Sequence, residues 1–187
     1  LDKRIQFVGY NILQKHVERS NADSASLVLI KNATGEIISM VNYPSFDPKN
    51  RNEMTGQNIR NKSATYIFEP GSTMKPFAVY TALETKSVNY DYIIDTSLGG
   101  MQLKNKPLKD YKDLGVLSLE GIIQKSSNIG AATISRKTNK EDIYNTLKNL
   151  DFGSSLYIDW PGEQNGDLHH YNEWSEDDHA SISYGYG

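Results

Sequence analysis

Apolar residues recur at Ile5, Val8, Ile12, Leu13 and Val17, the i, i+3, i+4, i+7 spacing that lines one face of an amphipathic helix, and Ser20-Asn21-Ala22-Asp23 ends it. The pattern then changes to a strand over residues 26–31, with Leu27-Val28-Leu29-Ile30 as its core. Asn32-Ala33-Thr34-Gly35 is a turn whose glycine takes a positive φ, and residues 36–42 form the return strand. A helix followed by a hairpin is thus the opening unit. Residues 43–68 lose periodicity, and Pro44, Pro48, Gly56 and many asparagines predict a loop with short helical pieces.

Glu69-Pro70-Gly71 breaks the chain, and Met74, Phe77, Ala78, Val79, Tyr80, Ala82 and Leu83 then predict a helix over 72–83 buried nearly all round. Residues 98–111 are rich in Gly and Lys and read as irregular. Ser118 is placed as the N-cap of a short helix running to about Lys125, with Glu120 in its first turn. A second helix starts near Asn128 and reaches Arg136. Asn139 caps a third, with Glu141 and Asp142 in the first turn and Ile143, Leu147 and Leu150 on one face. Between 151 and 180, Gly and Pro breaks and a run of acids and histidines read as a solvated loop anchored by Trp160 and Trp174. No internal repeat is evident.

A net charge of −3 leaves no basic field for nucleic acid, and the basic residues between 104 and 112 are mixed with Asn and Asp as on a solvated face. The absence of cysteine excludes disulfides and thiolate metal sites and suits an oxidising compartment. No apolar run approaches the ~18 residues that span a bilayer, and no signal peptide is recognisable. The chain starts at Leu1 without a methionine and ends at Gly187 within a Gly/Tyr repeat. Both ends read as cuts, so any targeting or anchoring segment is expected outside these residues.

Ser72-Thr73-Met74-Lys75 is a Ser-x-x-Lys tetrad at the start of the predicted buried helix. Residues three apart share a helix face, so the Lys75 amine can reach Ser72 Oγ. The helix mouth gathers unpaired N–H groups and partial positive charge beside Ser72, whose own N–H is part of an oxyanion site. A serine hydroxyl needs a base, and an unshifted lysine is neutral only about once in 2,500 molecules at pH 7. Burial against Met74, Phe77 and the apolar helix lowers the Lys75 pKa in the needed direction. The tetrad alone is weak, because Ser-x-x-Lys arises by chance about once in a chain of this size.

Ser126-Ser127-Asn128-Ile129-Gly130 lies between two predicted helices, where hydroxyl and amide groups can face a cleft. Ser126 can relay a proton between Lys75 and a leaving amine, and Asn128 can hold Lys75 and a substrate amide together. The same residues also suit a plain helix N-cap.

Together, Glu69-Pro70-Gly71-Ser72-Thr73-Met74-Lys75-Pro76 and Lys125-Ser126-Ser127-Asn128-Ile129-Gly130 closely resemble the first and second active-site motifs of class B penicillin-binding proteins. The resemblance extends to Thr34-Gly35-Glu36-Ile37, Asn42-Tyr43-Pro44-Ser45-Phe46, the lead-in Leu117 to Glu120, Pro161-Gly162-Glu163 and Ser183-Tyr184-Gly185-Tyr186-Gly187. It implies an α/β penicillin-binding transpeptidase (serine β-lactamase-like) fold: its helix-rich part with an incomplete antiparallel sheet and an exposed strand edge prone to self-association. Residues 1–187 are then one partial domain, with helix and hairpin in 1–48, a loop region in 49–68 and a helical catalytic part in 69–187.

The resemblance implies Ser72, Lys75, Ser126 and Asn128 as catalytic residues, with no cofactor or metal. Ser72 attacks a D-alanyl-D-alanine carbonyl of a peptidoglycan stem peptide, and a neighbouring strand's amine resolves the acyl-enzyme. β-Lactams acylate the same serine. The motif details favour the septal, division type, which implies the septal glycan polymerase and other divisome proteins as partners. They also imply a membrane anchor and the periplasmic side of the inner membrane. One departure is that the family's third motif, Lys-Thr/Ser-Gly, is absent, so these residues alone are expected to acylate poorly or not at all. A non-catalytic penicillin-sensing or assembly module is the alternative, and a β-lactam hydrolase lacks an identifiable deacylating base. Glu141 and Asn145 read as surface helix, and Asp167, His169, His170, Asp177, Asp178 and His179 lack metal-ligand spacing.

Overall fold

The Asp2 carboxylate opens helix α1 (Lys3–Ser20) by accepting the N–H groups of Arg4 and Ile5 at 2.8 and 3.4 Å. Asn21 closes it in the left-handed conformation, at φ 52°. The computed structural model describes residues 1–56, 58–97, 100–104 and 107–186. They fall into two units, Leu1–Ile67 with Tyr157–Gln164, and Phe68–Leu156 with Asn165–Gly187.

In the first unit, α1 lies along the hairpin of β1 (Ala25–Ile30) and β2 (Ile37–Tyr43), antiparallel with Leu27 opposite Val41. Gly35 makes the turn at φ 73°. The predicted helix is present and Val17 is buried as expected, but the rest of the buried side is shifted. Ile5, Val8 and Ile12 are 37%, 54% and 48% exposed, whereas Gly9 and Val17 are buried. Gly9 decides this, because a Cβ there would stand 3.2 Å from Val41 Cγ2, so the bare backbone settles on the strand. Gln6 adds polar anchors: its Nε2 donates to the Met40 carbonyl at 2.6 Å and its Oε1 accepts from Ser39 Oγ and the Met40 N–H. Val28, Leu29 and Ile30 form a strand as expected but are more than 40% exposed, since among the described residues β1 pairs only with β2. A 3₁₀ turn (Arg51–Glu53) and α2 (Lys62–Thr65) are the short helical pieces of the loop region, and Gln57 lies outside the described residues.

The second unit packs α3 (Lys75–Glu84), α4 (Leu119–Gln124), α5 (Asn128–Lys137), α6 (Lys140–Asn149) and α7 (Glu176–Ser181) around two apolar clusters. Val79, Ala82, Ile122, Ala131, Ile134 and Ala180 lie in the larger one; Met74, Ile143, Leu147 and Trp174 form the other. Ser118 and Asn139 cap α4 and α6 as expected. Strands β3 (Ile93–Asp95) and β6 (Val116–Ser118) pair antiparallel, as do β4 (Met101–Gln102) and β5 (Pro107–Leu108). The short β4–β5 ladder replaces the irregular segment expected there, of which Leu98, Gly99, Asn105 and Lys106 lie outside the described residues, as does Gly187.

Three expectations are corrected by packing. α3 is not buried all round, because the row Pro76, Tyr80 and Glu84 faces solvent. Leu150 is the C-cap of α6 and 49% exposed, since the helix ends one residue before it. The acidic stretch before residue 180 is no loop: Ser175 and Asp178 form a capping box that starts α7, and His179 is only 5% exposed. Ser135 Oγ donates to the His179 carbonyl, tying α5 to α7.

Candidate active site

Ser72 sits in a 3₁₀ turn (Gly71–Met74), and α3 begins at Lys75. The tetrad therefore does not start a plain α-helix. In 3₁₀ geometry residues i and i+3 eclipse, which stacks Lys75 over Ser72 more directly than an α-turn does. Lys75 Nζ donates to Ser72 Oγ at 2.9 Å, to the Ser126 carbonyl at 2.8 Å and to Ser126 Oγ at 2.8 Å. Ser126 Oγ donates to Ser72 Oγ at 3.0 Å, closing a triangle of two hydroxyls and an amine.

Lys75 is 1% exposed, while Ser72 and Ser126 are exposed. A buried hydroxyl-lined amine is thus covered by two hydroxyls open to solvent. Burial pushes the Lys75 pKa below the ordinary lysine value, and the Asp110 carboxylate pulls it part of the way back. Three acceptors match the three hydrogens of the ammonium. After deprotonation the amine can keep both Ser126 contacts and take the Ser72 proton on its lone pair.

Ser126 stands at φ 56°, a left-handed conformation that aims both its carbonyl and its hydroxyl at Lys75. The next residue, Ser127, is buried and caps α5 by accepting from the Gly130 N–H at 2.9 Å. Asp110 anchors the same turn: Ser127 Oγ donates to it at 2.6 Å, and the N–H groups of Asn128 and Ile129 at 2.5 and 3.2 Å. Gly71 supports the other side, its N–H donating to the Gly185 carbonyl at 3.1 Å.

Of the four residues singled out from the sequence, Ser72, Lys75 and Ser126 meet within hydrogen-bonding distance. Asn128 is at the first position of α5, where its backbone N–H is held by Asp110 and its side chain makes no hydrogen bond among the described residues. Sequence reasoning missed Asp110, a lone acid between Lys109 and Tyr111 whose partners lie 17 to 19 residues downstream. No local spacing marks it. Among the described residues no His/Cys/Asp/Glu group is arranged to hold a metal ion.

The model of the penicillin binding protein transpeptidase domain matches residues 25–187. The chain is 34% identical over 186 residues to the probable peptidoglycan D,D-transpeptidase PbpC of Pseudomonas aeruginosa, covering 100% of this chain and 33% of that protein. It is 32% identical over 187 residues to the peptidoglycan D,D-transpeptidase FtsI of Escherichia coli, covering 100% of this chain and 32% of that one. It thus spans about a third of the length of the curated relatives it matches. Among solved structures, the transpeptidase domain of Burkholderia pseudomallei penicillin-binding protein 3 superposes with a TM-score of 0.86 at 35% identity, over 100% of this chain and 52% of that one. A peptidoglycan glycosyltransferase from Burkholderia ambifaria gives 0.87 at 34%, over 100% and 55%. The mixed α/β arrangement of helices with small antiparallel ladders is the fold of these domains, and the chain belongs to the penicillin-binding protein transpeptidase family.

Proposed function

We propose that this chain carries the nucleophile, base and proton relay of a peptidoglycan D,D-transpeptidase of the division type, with Ser72, Lys75 and Ser126 as catalytic residues and Asn128 as the substrate-amide contact. The observation that carries this reading is the single amine, Lys75 Nζ, held within 2.9 Å of both Ser72 Oγ and Ser126 Oγ. Neutral Lys75 takes the Ser72 proton as Oγ attacks the carbonyl carbon of a D-alanyl-D-alanine stem peptide. The oxyanion meets the Ser72 N–H, which lies in the first turn where such groups lack intrahelical partners. The proton passes from Lys75 through Ser126 Oγ to the departing D-alanine nitrogen, the C–N bond breaks, and an ester remains on Ser72. The amine of a neighbouring stem peptide attacks that ester while the relay runs in reverse, releasing the cross-link and restoring Ser72. β-Lactams open on the same serine and stay as an acyl-enzyme.

Family membership and the peptidoglycan D,D-transpeptidases among the relatives support the substrate class; work at the septum beside a glycan polymerase and other divisome proteins is the part of the proposal that rests on the motif resemblance. Such work places the protein on the periplasmic face of the inner membrane; among the described residues no helix is long and apolar enough to cross a membrane. Residues 1–187 contain no Lys-Thr-Gly or Lys-Ser-Gly, and a penicillin-sensing or assembly module of the same fold is the second reading. On the first reading that absence slows these residues alone, since one missing oxyanion donor costs about 10²–10³ in rate. Labelling with a fluorescent penicillin tests the nucleophile: a slow signal that vanishes in Ser72→Ala is expected, and a signal that survives the substitution contradicts the catalytic reading.

A further inference from the structure

The Ser126 turn needs an explanation of its own. A non-glycine residue at φ 56° keeps a left-handed conformation only when its surroundings hold it there. Ser126 Oγ and carbonyl contact Lys75 and Ser72, groups that must themselves be free to exchange protons. What holds the turn from behind is Asp110. Its two oxygens take the Ser127 hydroxyl and the first two N–H groups of α5, Asn128 and Ile129, while Ser127 serves Gly130. The mouth of α5 is therefore satisfied by a carboxylate reaching in from the segment after β5, and the turn is fastened to that segment.

We propose, on the reading of Ser72 and Lys75 given above, that Asp110 is a positioning residue that fastens the Ser126 turn in its lysine-gripping conformation and supplies the countercharge to the Lys75 ammonium. Charge and geometry agree in this. The Asp110 carboxylate favours the charged form of Lys75, against the effect of burial. It is half-buried, so its field is weakly screened. Its three hydrogen bonds fix the distance over which that field acts. One carboxylate thus couples the shape of the turn to the proton on the amine. The segment that carries Asp110 becomes a lever on the site without touching substrate.

The test is nuclear magnetic resonance on the ¹⁵N-labelled chain with ¹³Cε-lysine, so it does not require Ser72 to react. In Asp110→Asn, hydrogen-exchange protection at the Asn128 and Ile129 amides falls about 10-fold, the loss of roughly one net hydrogen bond. The Lys75 amine also titrates at lower pH than in the unaltered chain. Asp110→Glu, which keeps the charge on a longer arm, brings the titration back toward that of the unaltered chain. Unchanged amide protection in Asp110→Asn overturns the fastening, and an unchanged Lys75 titration overturns the countercharge. Should Asp110→Asn give no dispersed spectrum, Asp110→Ser, too short to reach both N–H groups, decides on the same two readouts with the same outcomes for and against. Penicillin labelling of Ser72 is read separately, so failure of the catalytic reading is distinguishable from failure of this one.

Discussion

Gly185 and Gly71 are locked backbone to backbone, one residue before the nucleophile. The Gly185 carbonyl accepts the Gly71 N–H at 3.1 Å, and a Cβ on Gly185 would stand 2.1 Å from the Gly71 oxygen. Both glycines are left-handed, at φ 84° and 62°. The segment after α7 thereby supports the entry to the Ser72 turn. Gly185→Ala is expected to lower stability by at least about 1–3 kcal/mol through backbone strain alone, and to displace Ser72. Thermal unfolding and penicillin labelling measured together check this. Loss of labelling without a lowered melting temperature would contradict the steric account.

Ser126 offers the opposite trade. Relieving its left-handed strain with Ser126→Gly removes a cost of about 1–2 kcal/mol while keeping the carbonyl that Lys75 holds. The hydroxyl relay is lost. The lost Oγ acceptor of buried Lys75 offsets that relief, so the variant is expected to melt near the unaltered chain and to label at least about 10²-fold more slowly, the usual share of a general acid–base group. Faster or unchanged labelling removes the hydroxyl from the mechanism.

The pH dependence of labelling follows from Lys75. Burial lowers its pKa, so the neutral amine becomes available at lower pH than in a free lysine, and labelling rises as pH climbs through that value. The linked stability has the same sign. The unfolded chain binds more protons between the depressed folded value and the ordinary one, so stability rises with pH across that window and is lost as pH falls through the folded value. Lys75→Met should label poorly at every pH and flatten this part of the stability curve. Rate profiles and melting curves between about pH 6 and 11 test both.

His179 sets a second, acidic dependence. It is 5% exposed, its Nε2 has no hydrogen-bond partner among the described residues, and burial, reinforced by Lys140, lowers its pKa below 6.5. Stability is therefore expected to decline as pH falls from about 6.5 through the folded value, where the unfolded state binds the extra proton. His179→Gln should remove that decline. A melting temperature that falls equally in both proteins between about pH 6.5 and 5 counts against the assignment.

Much of this arrangement is written in short-range pattern. The caps Ser118 and Asn139, the Gly35 turn and the three-residue spacing of Ser72 and Lys75 depend on residues within one or two turns, so the chain declares them locally. What the sequence does not declare depends on distant partners. Gly9 chooses the buried side of α1 by meeting Val41. Asp110 matters through Ser127, and the α7 residues read as loop because a six-residue helix carries too little periodicity to see. The exposure of Val28, Leu29 and Ile30 likewise follows from pairing, which an apolar run alone does not reveal.

The most direct test of the account is peptide-mapped mass spectrometry of the folded chain after hours with a β-lactam. The account predicts one covalent adduct, on the peptide carrying Ser72, absent in Ser72→Ala and reduced in Lys75→Met. A folded chain that gains no adduct at Ser72, or gains it elsewhere, contradicts it.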